Sequence, residues 1–404
     1  MIAVATYIEI GNTDIELIDG DRGKNYPHQN ELRQEGDCVF LSANNVTTGG
    51  FKFDNVVYIT AEKDRALRNG KIQRGDIVIT TRGTVGNVAY YNQQIPYDNI
   101  RINSGMLIVR CHEQIKSEFL YYVLRGVEFQ RQIKQIQTGT AQPQLPKSHF
   151  IKMKIIVPTI DVQEKIAKIL RTIDEKIESN KCINENLEQQ AQAYFNELFV
   201  VNADPNWPEC TLSDIGSVVA GGTPSKSKPE YYADQGIAWI TPKDLSVDKS
   251  KFISHGENDI SELGFSKSST KKMPAGTVLF SSRAPIGYIA IAQNELTTNQ
   301  GFKSVIPNKN IGTSYVYFLL KNLLPAIEGM ASGSTFKEIS GAGMKSVPTV
   351  MPDVDTIQLF NNFCEPIFKE QEVLEAENRR LSALRDLLLP KLMSGEIDIP
   401  SLDI

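Results

Sequence analysis

The chain repeats itself, and that duplication constrains the fold more than any single motif does. GDIVITTRGTVGNVAYY at 75–91 is matched by GTVLFSSRAPIGYIAIA at 276–292, which sets Arg82 against Arg283 and Gly86 against Gly287, each pair 201 positions apart. RINSGMLIV at 101–109 resembles TNQGFKSVI at 298–306, with Gly105 against Gly301 at a spacing of 196. QTGTAQPQLPKSHFIKMKIIVP at 137–158 resembles ASGSTFKEISGAGMKSVPTVMP at 331–352, with Gly139 against Gly333 and Pro158 against Pro352 at a spacing of 194. The order of the blocks is conserved between the halves, so 404 residues are expected to build two cores of one design.

Each block has a local reading. The apolar β-formers Ile77 to Ile79 and Val278 to Phe280 follow a glycine turn and run into a polar Thr/Ser-Arg-Gly/Ala corner. That pattern describes a strand delivering an arginine to an exposed turn. The stretches 119–130 and 315–327 have helical apolar spacing, so each half is expected to be mixed α and β.

Between Pro158 and Pro205 the chain has neither glycine nor proline, which predicts one long helix. A heptad frame places Ile166, Ile173, Asn180, Leu187 and Tyr194 at one seam position and Leu170, Ile177, Asn184, Ala191 and Leu198 at the other. A second long helix is expected over 356–393, with Phe360, Ile367, Leu374, Leu381 and Leu388 in strict seven-residue spacing and Gln371 and Asn378 in the other seam. Pro366 should kink or restart it. Packed antiparallel, the two would bring Asn184 to Gln371 and Asn180 to Asn378; the alternative is that these asparagines lie on the solvent faces of two separate amphipathic helices. A helix of about 36 residues spans roughly 54 Å, more than the roughly 34 Å of one B-DNA turn.

The expected architecture is therefore two repeated α+β domains separated by an antiparallel two-helix coiled coil. Its boundaries are 1–158 for the first domain, 159–200 for the first long helix, 201–352 for the second domain and 353–404 for the second long helix and tail. Hydrophobic content of 41% with 23% charged residues is ordinary for a globular chain, and no run reaches the roughly 20 apolar residues of a membrane span. The opening residues lack the pattern of a secretory signal, so a cytoplasmic location is expected. Five scattered cysteines, Cys38, Cys111, Cys182, Cys210 and Cys364, read as reduced and structural, and four isolated histidines argue against a metal centre. A formal charge of -5 speaks against coating nucleic acid by charge alone but leaves room for a local basic surface.

Catalytic signatures are missing. DPNW at 204–207 lacks the second proline of the adenine-methyltransferase segment, no glycine-rich methyl-donor loop follows a strand, and no GxxxxGK[ST] loop is present. The chain reads as a non-enzyme. A coiled-coil adaptor with repeated protein-binding domains and a DNA-modifying enzyme with an unfamiliar site are the competing readings.

IDGDRGKNYP at 18–27, GDIVITTRGTVGN at 75–87, RINSGM at 101–106, VVAGGTPSKSKPEYY at 218–232, WITPKDL at 239–245, SSRAPIG at 281–287 and LLLPKLMSGEI at 387–397 follow one another in an order that resembles the specificity subunits of type I restriction-modification systems. The resemblance covers nearly the whole chain. It implies two target-recognition domains, each reading one half of a divided double-stranded DNA sequence, with the helices setting the unread gap. It also implies partners: two DNA methyltransferase subunits and, for cleavage, ATP-dependent restriction subunits. S-adenosylmethionine, ATP and magnesium would then sit on those partners, with no cofactor on this chain. The halves differ outside the shared blocks, DGDRGKNYP against AGGTPSKSKP, which in this family implies an asymmetric target.

Candidate DNA contacts follow from the corners and loops. Arg82 with Thr81 and Thr84, and Arg283 with Ser282, are flanked by small residues that let a backbone approach DNA; an arginine there suits a guanine edge or a phosphate, or it bridges a local carboxylate and props the turn. Arg22, Lys24 and Asn25, beside Asp21, form a polar loop that is either a contact or a solvated turn. Thr223, Ser225, Lys226 and Lys228 carry phosphate-binding chemistry but equally suit a surface linker. Lys243 could reach DNA, whereas Trp239 reads as core. The loops 138–144 and 332–337 either touch DNA or cap structure.

Overall fold

The computed structural model describes residues 7–136, 143–333 and 337–397, and divides into two compact units, Met1–Lys176 with Arg380–Ile404 and Ile177–Arg379. The expected loops 138–144 and 332–337 fall partly outside the described residues, at 138–142 and 334–336.

In the first unit an antiparallel sheet has the order Glu16–Asp19, Met106–Arg110, Ile77–Thr80, Val88–Tyr90. The second unit repeats it with Gly216–Ala220, Lys303–Pro307, Val278–Ser282, Ile286–Ala292, and adds Phe252–Ile253 as a parallel edge. A companion sheet recurs as well. Val57–Ile59, Cys38–Leu41 and Ile100–Ile102 in the first unit correspond to Asn258–Ile260, Ile237–Ile240 and Thr297–Thr298 in the second, and the last pair is parallel in both.

Strand period explains why these sheets are apolar on both faces. Ile77, Ile79, Leu107 and Val109 point into a core shared with the helices Ser117–Arg125 and Val127–Ile136. Val78, Ala89, Met106 and Ile108 point the other way, onto the companion sheet. Val278, Phe280 and Val305 face the helix Thr313–Asn322, while Leu279, Ala290 and Ala292 face the opposite core. Each of these larger aliphatic and aromatic side chains contributes about 1.5–3 kcal/mol by burial, the alanines less. The helical stretch expected at 119–130 is broken at Gly126, where a Cβ would lie 2.7 Å from Leu389.

The first long helix is Ile160–Asn196, ending in a π-helical turn, Glu197–Val201; the second is Val354–Ser394. Pro366 does not restart the second helix, which runs unbroken through it, so that half of the sequence expectation is not met. Phe360, Cys364 and Ile367 around it are buried in one core, and that packing outweighs the single backbone hydrogen bond a proline forfeits. The seam forms in both units. In the second, Asn180 Nδ2 donates to Asn378 Oδ1 at 2.9 Å and Glu377 Oε2 at 2.8 Å, and Gln371 Nε2 donates to the Asn184 carbonyl at 3.0 Å. In the first, Arg385 Nη1 donates to Asp174 Oδ1 at 2.7 Å. Numbers that rise on one helix fall on the other, so the pairing is antiparallel.

A side-chain amide on each long helix, buried at Gln163 and half-buried at Asn361, docks the adjoining domain. Gln163 Oε1 accepts from Lys116 N at 2.8 Å at the start of Ser117–Arg125, and its Nε2 donates to the Gln114 and Pro158 carbonyls. Asn361 Oδ1 accepts from Ser314 Oγ at 2.6 Å and Tyr315 N at 3.2 Å, and its Nδ2 donates to the Ile311 carbonyl. Both satisfy orphan groups at a helix N-terminus. Each unit thus takes in a domain together with part of each long helix. No described helix is long and apolar enough to cross a membrane. All five cysteines are free; burial pushes the Cys38 and Cys364 thiols up to about 12, but Cys182 is exposed and has no packing role.

Candidate nucleic-acid interface

The arginine corner is built the same way twice. Thr80 Oγ1 donates to the Thr84 carbonyl and accepts from Asn87 N at 3.0 Å; Ser281 Oγ donates to the Pro285 carbonyl at 2.8 Å and accepts from Tyr288 N at 2.7 Å. One hydroxyl therefore staples the two sides of each turn. Within the turn the residue after the arginine takes positive φ, 75° at Gly83 and 51° at Ala284. Gly83 adopts this freely, whereas Ala284 is held there by its surroundings.

A second turn supports the corner. Asn103 Oδ1 accepts from Gly105 N at 2.9 Å and Asn299 Oδ1 from Gly301 N at 2.8 Å. The glycine carbonyls of these turns accept from Thr81 N at 2.8 Å and Ser282 N at 2.7 Å. The glycine-bounded loops close over the same turns: a Cβ on Gly20 would lie 2.0 Å from the Asn103 carbonyl oxygen, and one on Gly221 2.0 Å from that of Asn299. Arg22 Nη2 then reaches the Ser104 carbonyl at 3.4 Å, and Thr223 Oγ1 donates to Gln300 Oε1. Finally, Gln144 bridges Arg82 and Glu338 bridges Arg283 through the backbone, while Leu145 N donates to the Thr81 carbonyl and Ile339 N to that of Ser282. Loop, asparagine turn, arginine corner and the residue at 144 or 338 meet at one place in each unit.

The expected site residues divide on burial. Arg82, Thr84, Lys24, Ser225, Lys226 and Lys228 are exposed, and the Arg82 guanidinium has no hydrogen-bond or ion-pair partner among the described residues. Arg22 is exposed and 3.3 Å from Asp19. Asn25 donates to the Ala66 carbonyl at 2.9 Å, Ser225 and Ser227 share a hydrogen bond at 2.9 Å, and Lys228 Nζ lies 5.2 Å from the Tyr231 ring centre. Lys243 pairs with Glu257, which holds its ammonium above the usual range.

Two of the expected contacts are buried in this structure. Thr81 is 7% exposed and Ser282 is fully buried; Ser282 Oγ donates to the Gly301 carbonyl at 3.1 Å and accepts from Lys303 Nζ at 3.3 Å. Asp21 is also structural. Burial would raise its carboxyl, but the N–H groups of Gly23, Arg68 and Asn69 outweigh that and hold it below the usual range. Trp239 is buried, its Nε1 donating to the Gly222 carbonyl at 3.0 Å. Sequence reasoning placed Gln144 at the end of a candidate contact loop but missed Glu338 and Lys303; the spacing of 194 that aligns Gly139 with Gly333 also aligns Gln144 with Glu338.

Residues 13–189 and 205–359 each match the family model described as the type I restriction modification DNA specificity domain. The specificity subunit of the type I restriction enzyme MjaIX of Methanocaldococcus jannaschii is 37% identical over 190 residues, 45% of this chain and 44% of that protein. The specificity subunit of the type I restriction enzyme HindI of Haemophilus influenzae is 24% identical over 461 positions, covering 94% of this chain and 98% of that one. Among solved structures, the S subunit of a type I restriction-modification system from M. genitalium has the same fold, with a TM-score of 0.56 at 18% identity over 96% of both chains.

Proposed function

This chain belongs to the type I restriction-modification DNA specificity family, and on that premise we propose that it reads double-stranded DNA through two unlike domains, one for each half of a divided target. The observation that carries the reading is the doubled corner, in which exposed Arg82 and half-exposed Arg283 stand on stapled turns beside loops of differing sequence. A rigid backbone presenting an arginine suits DNA contact, because little side-chain freedom is lost on binding. Loops of unlike chemistry on a common frame suit two different half-sequences.

The partners are proposed as two DNA methyltransferase subunits, joined for cleavage by ATP-dependent restriction subunits. S-adenosylmethionine, ATP and magnesium would be theirs, and this chain would contribute recognition without chemistry of its own. The second long helix supports a docking role, since it exposes Leu359 and Phe363 in one unit and Leu384 and Leu387 in the other.

Mapping methylated adenines in cells with and without the gene tests the reading. A two-part, asymmetric motif should vanish on deletion. Persistence of every methylation motif, with the gene shown to be expressed in the parent, overturns it.

A further inference from the structure

Arg82 and Arg283 occupy matched corners in unlike company. Arg283 Nη1 donates to Glu338 Oε2 at 3.3 Å, and the backbone of Glu338 is bonded on both sides of Ser332, with N to O at 2.9 Å and O to N at 3.1 Å. Behind the carboxylate lies Lys303, whose side chain is 9% exposed and whose Nζ is 3.6 Å from Glu338 Oε1 while donating to Ser282 Oγ and the Gln300 carbonyl. In the first unit the matched residues are Leu107 and Gln144, both uncharged. The second half thus gains a buried cation and a carboxylate together, aimed at its corner arginine.

The consequence is chemical. A phosphate approaching Arg283 would meet the Glu338 carboxylate beside the guanidinium, and the two anions repel. A guanine edge presents neutral acceptors, O6 and N7, and is not repelled. The clamp occupies Nη1, so Nε and Nη2 keep their N–H groups directed away from Glu338, enough for a two-point contact. An arginine held by a carboxylate also surrenders less rotamer freedom on binding. Arg82 has the opposite setting: it is exposed, its guanidinium has no ion-pair partner among the described residues, and the residue bridged to it through the backbone is the uncharged Gln144, which leaves it the full charge that suits a phosphate.

We propose that Glu338 is a specificity-determining residue: it turns Arg283 into a reader of guanine in the second half-sequence, whereas Gln144 at the matched place leaves Arg82 as a phosphate contact. This rests on the proposed DNA-reading role.

The test uses the full chain in complex with its methyltransferase partner, on duplexes that vary one base pair at a time across the target found by methylation mapping. Binding is measured at several salt concentrations and thermal unfolding is recorded alongside. Glu338→Gln should lower discrimination at one guanine by about tenfold and steepen the slope of log affinity against log salt by about one. Glu338→Asp should restore both. Gln144→Glu should flatten the slope by about one and leave the second half-sequence untouched. Arg283→Lys keeps the charge and loses the planar fork, so it should lose the guanine preference at an unchanged salt slope, and it serves if Glu338→Gln does not fold. Unchanged discrimination in Arg283→Lys, or in a folded Glu338→Gln, overturns the assignment of Glu338. A wild-type complex that binds every duplex alike overturns the DNA-reading role itself.

Discussion

Ser281 shows how much of a recognition corner can rest on one hydroxyl. Among the described residues its Oγ is the one side-chain link between the Pro285 carbonyl and the Tyr288 amide, and the residue is fully buried, so water cannot replace it. Ser281→Ala leaves a donor and an acceptor unpaired at a cost of about 1–3 kcal/mol. In a domain of this size that corresponds to a melting temperature lower by roughly 2–4 °C per kcal/mol. Ser281→Thr, the residue type present as Thr80 in the first half, should retain the bonds and melt close to wild type. Calorimetry on the three proteins checks this; an Ala variant as stable as wild type would show the staple to be idle. The example also marks where sequence reasoning failed at this scale. TTRGT and SSRAP were legible as corners, but adjacent hydroxyls of one type gave no sign that Thr80 and Ser281 face the turn while Thr81 and Ser282 face inward. Strand parity decides that, and it is set by pairing with 106–110 and 302–307, which no local string contains.

At the scale of elements, the long helices carry both a legible seam and an illegible one. The heptad positions and the partnering of Asn180 with Asn378 and of Asn184 with Gln371 follow from period and numbering alone. Gln163 and Asn361 were not foreseen, since an amide on a helix face has no signature until the helix N-terminus it serves is known. Asn184 offers a clean test, because Gln371 bonds its backbone carbonyl while its own buried Oδ1 has no partner among the described residues. Asn184→Leu keeps the former and removes the latter, and should stabilise by about 1 kcal/mol; a lower melting temperature would mean that the side chain has a partner the seam needs. Glu188 gives the pH counterpart. Burial alone would raise its carboxyl, but Lys251 and Lys321 outweigh that and hold it below its ordinary 4.5. A carboxyl depressed by folding adds stability that is present above 4.5 and lost as pH falls through the folded value. The stability gap between wild type and Glu188→Gln should therefore be widest at neutral pH and close on acidification. Glu375, which burial raises, is present in both proteins and works in the opposite sense. A gap constant down to about pH 3 would remove Glu188 from the acid response.

For the whole molecule, duplication with divergence has an energetic corollary. Each unit has cores of its own, the first built around Ile77, Leu107 and Phe119 and the second around Val278, Val305 and Phe318, and each holds one arginine corner. The repeat, the mixed α and β structure of each half and the two helices were readable because duplicated blocks average out local ambiguity. The division of each helix between units was not, since it depends on packing of Leu389 and Leu392 against Ile166 and Leu170, residues far apart in the chain. Separate cores imply that substitutions at the two corners perturb separate contacts, and such effects add within about 0.5 kcal/mol. Arg82→Ala is expected to weaken binding equally for all duplexes and to flatten the salt slope by about one, the behaviour of a lost phosphate contact. Arg283→Ala is expected to cost about 1–3 kcal/mol on the cognate duplex alone, by loss of a base contact. In the double variant both signatures should appear undiminished, with a binding loss equal to the two single losses combined. A coupling well above that margin would mean that the halves do not engage DNA independently, and the reading of two autonomous recognition domains would fall with it.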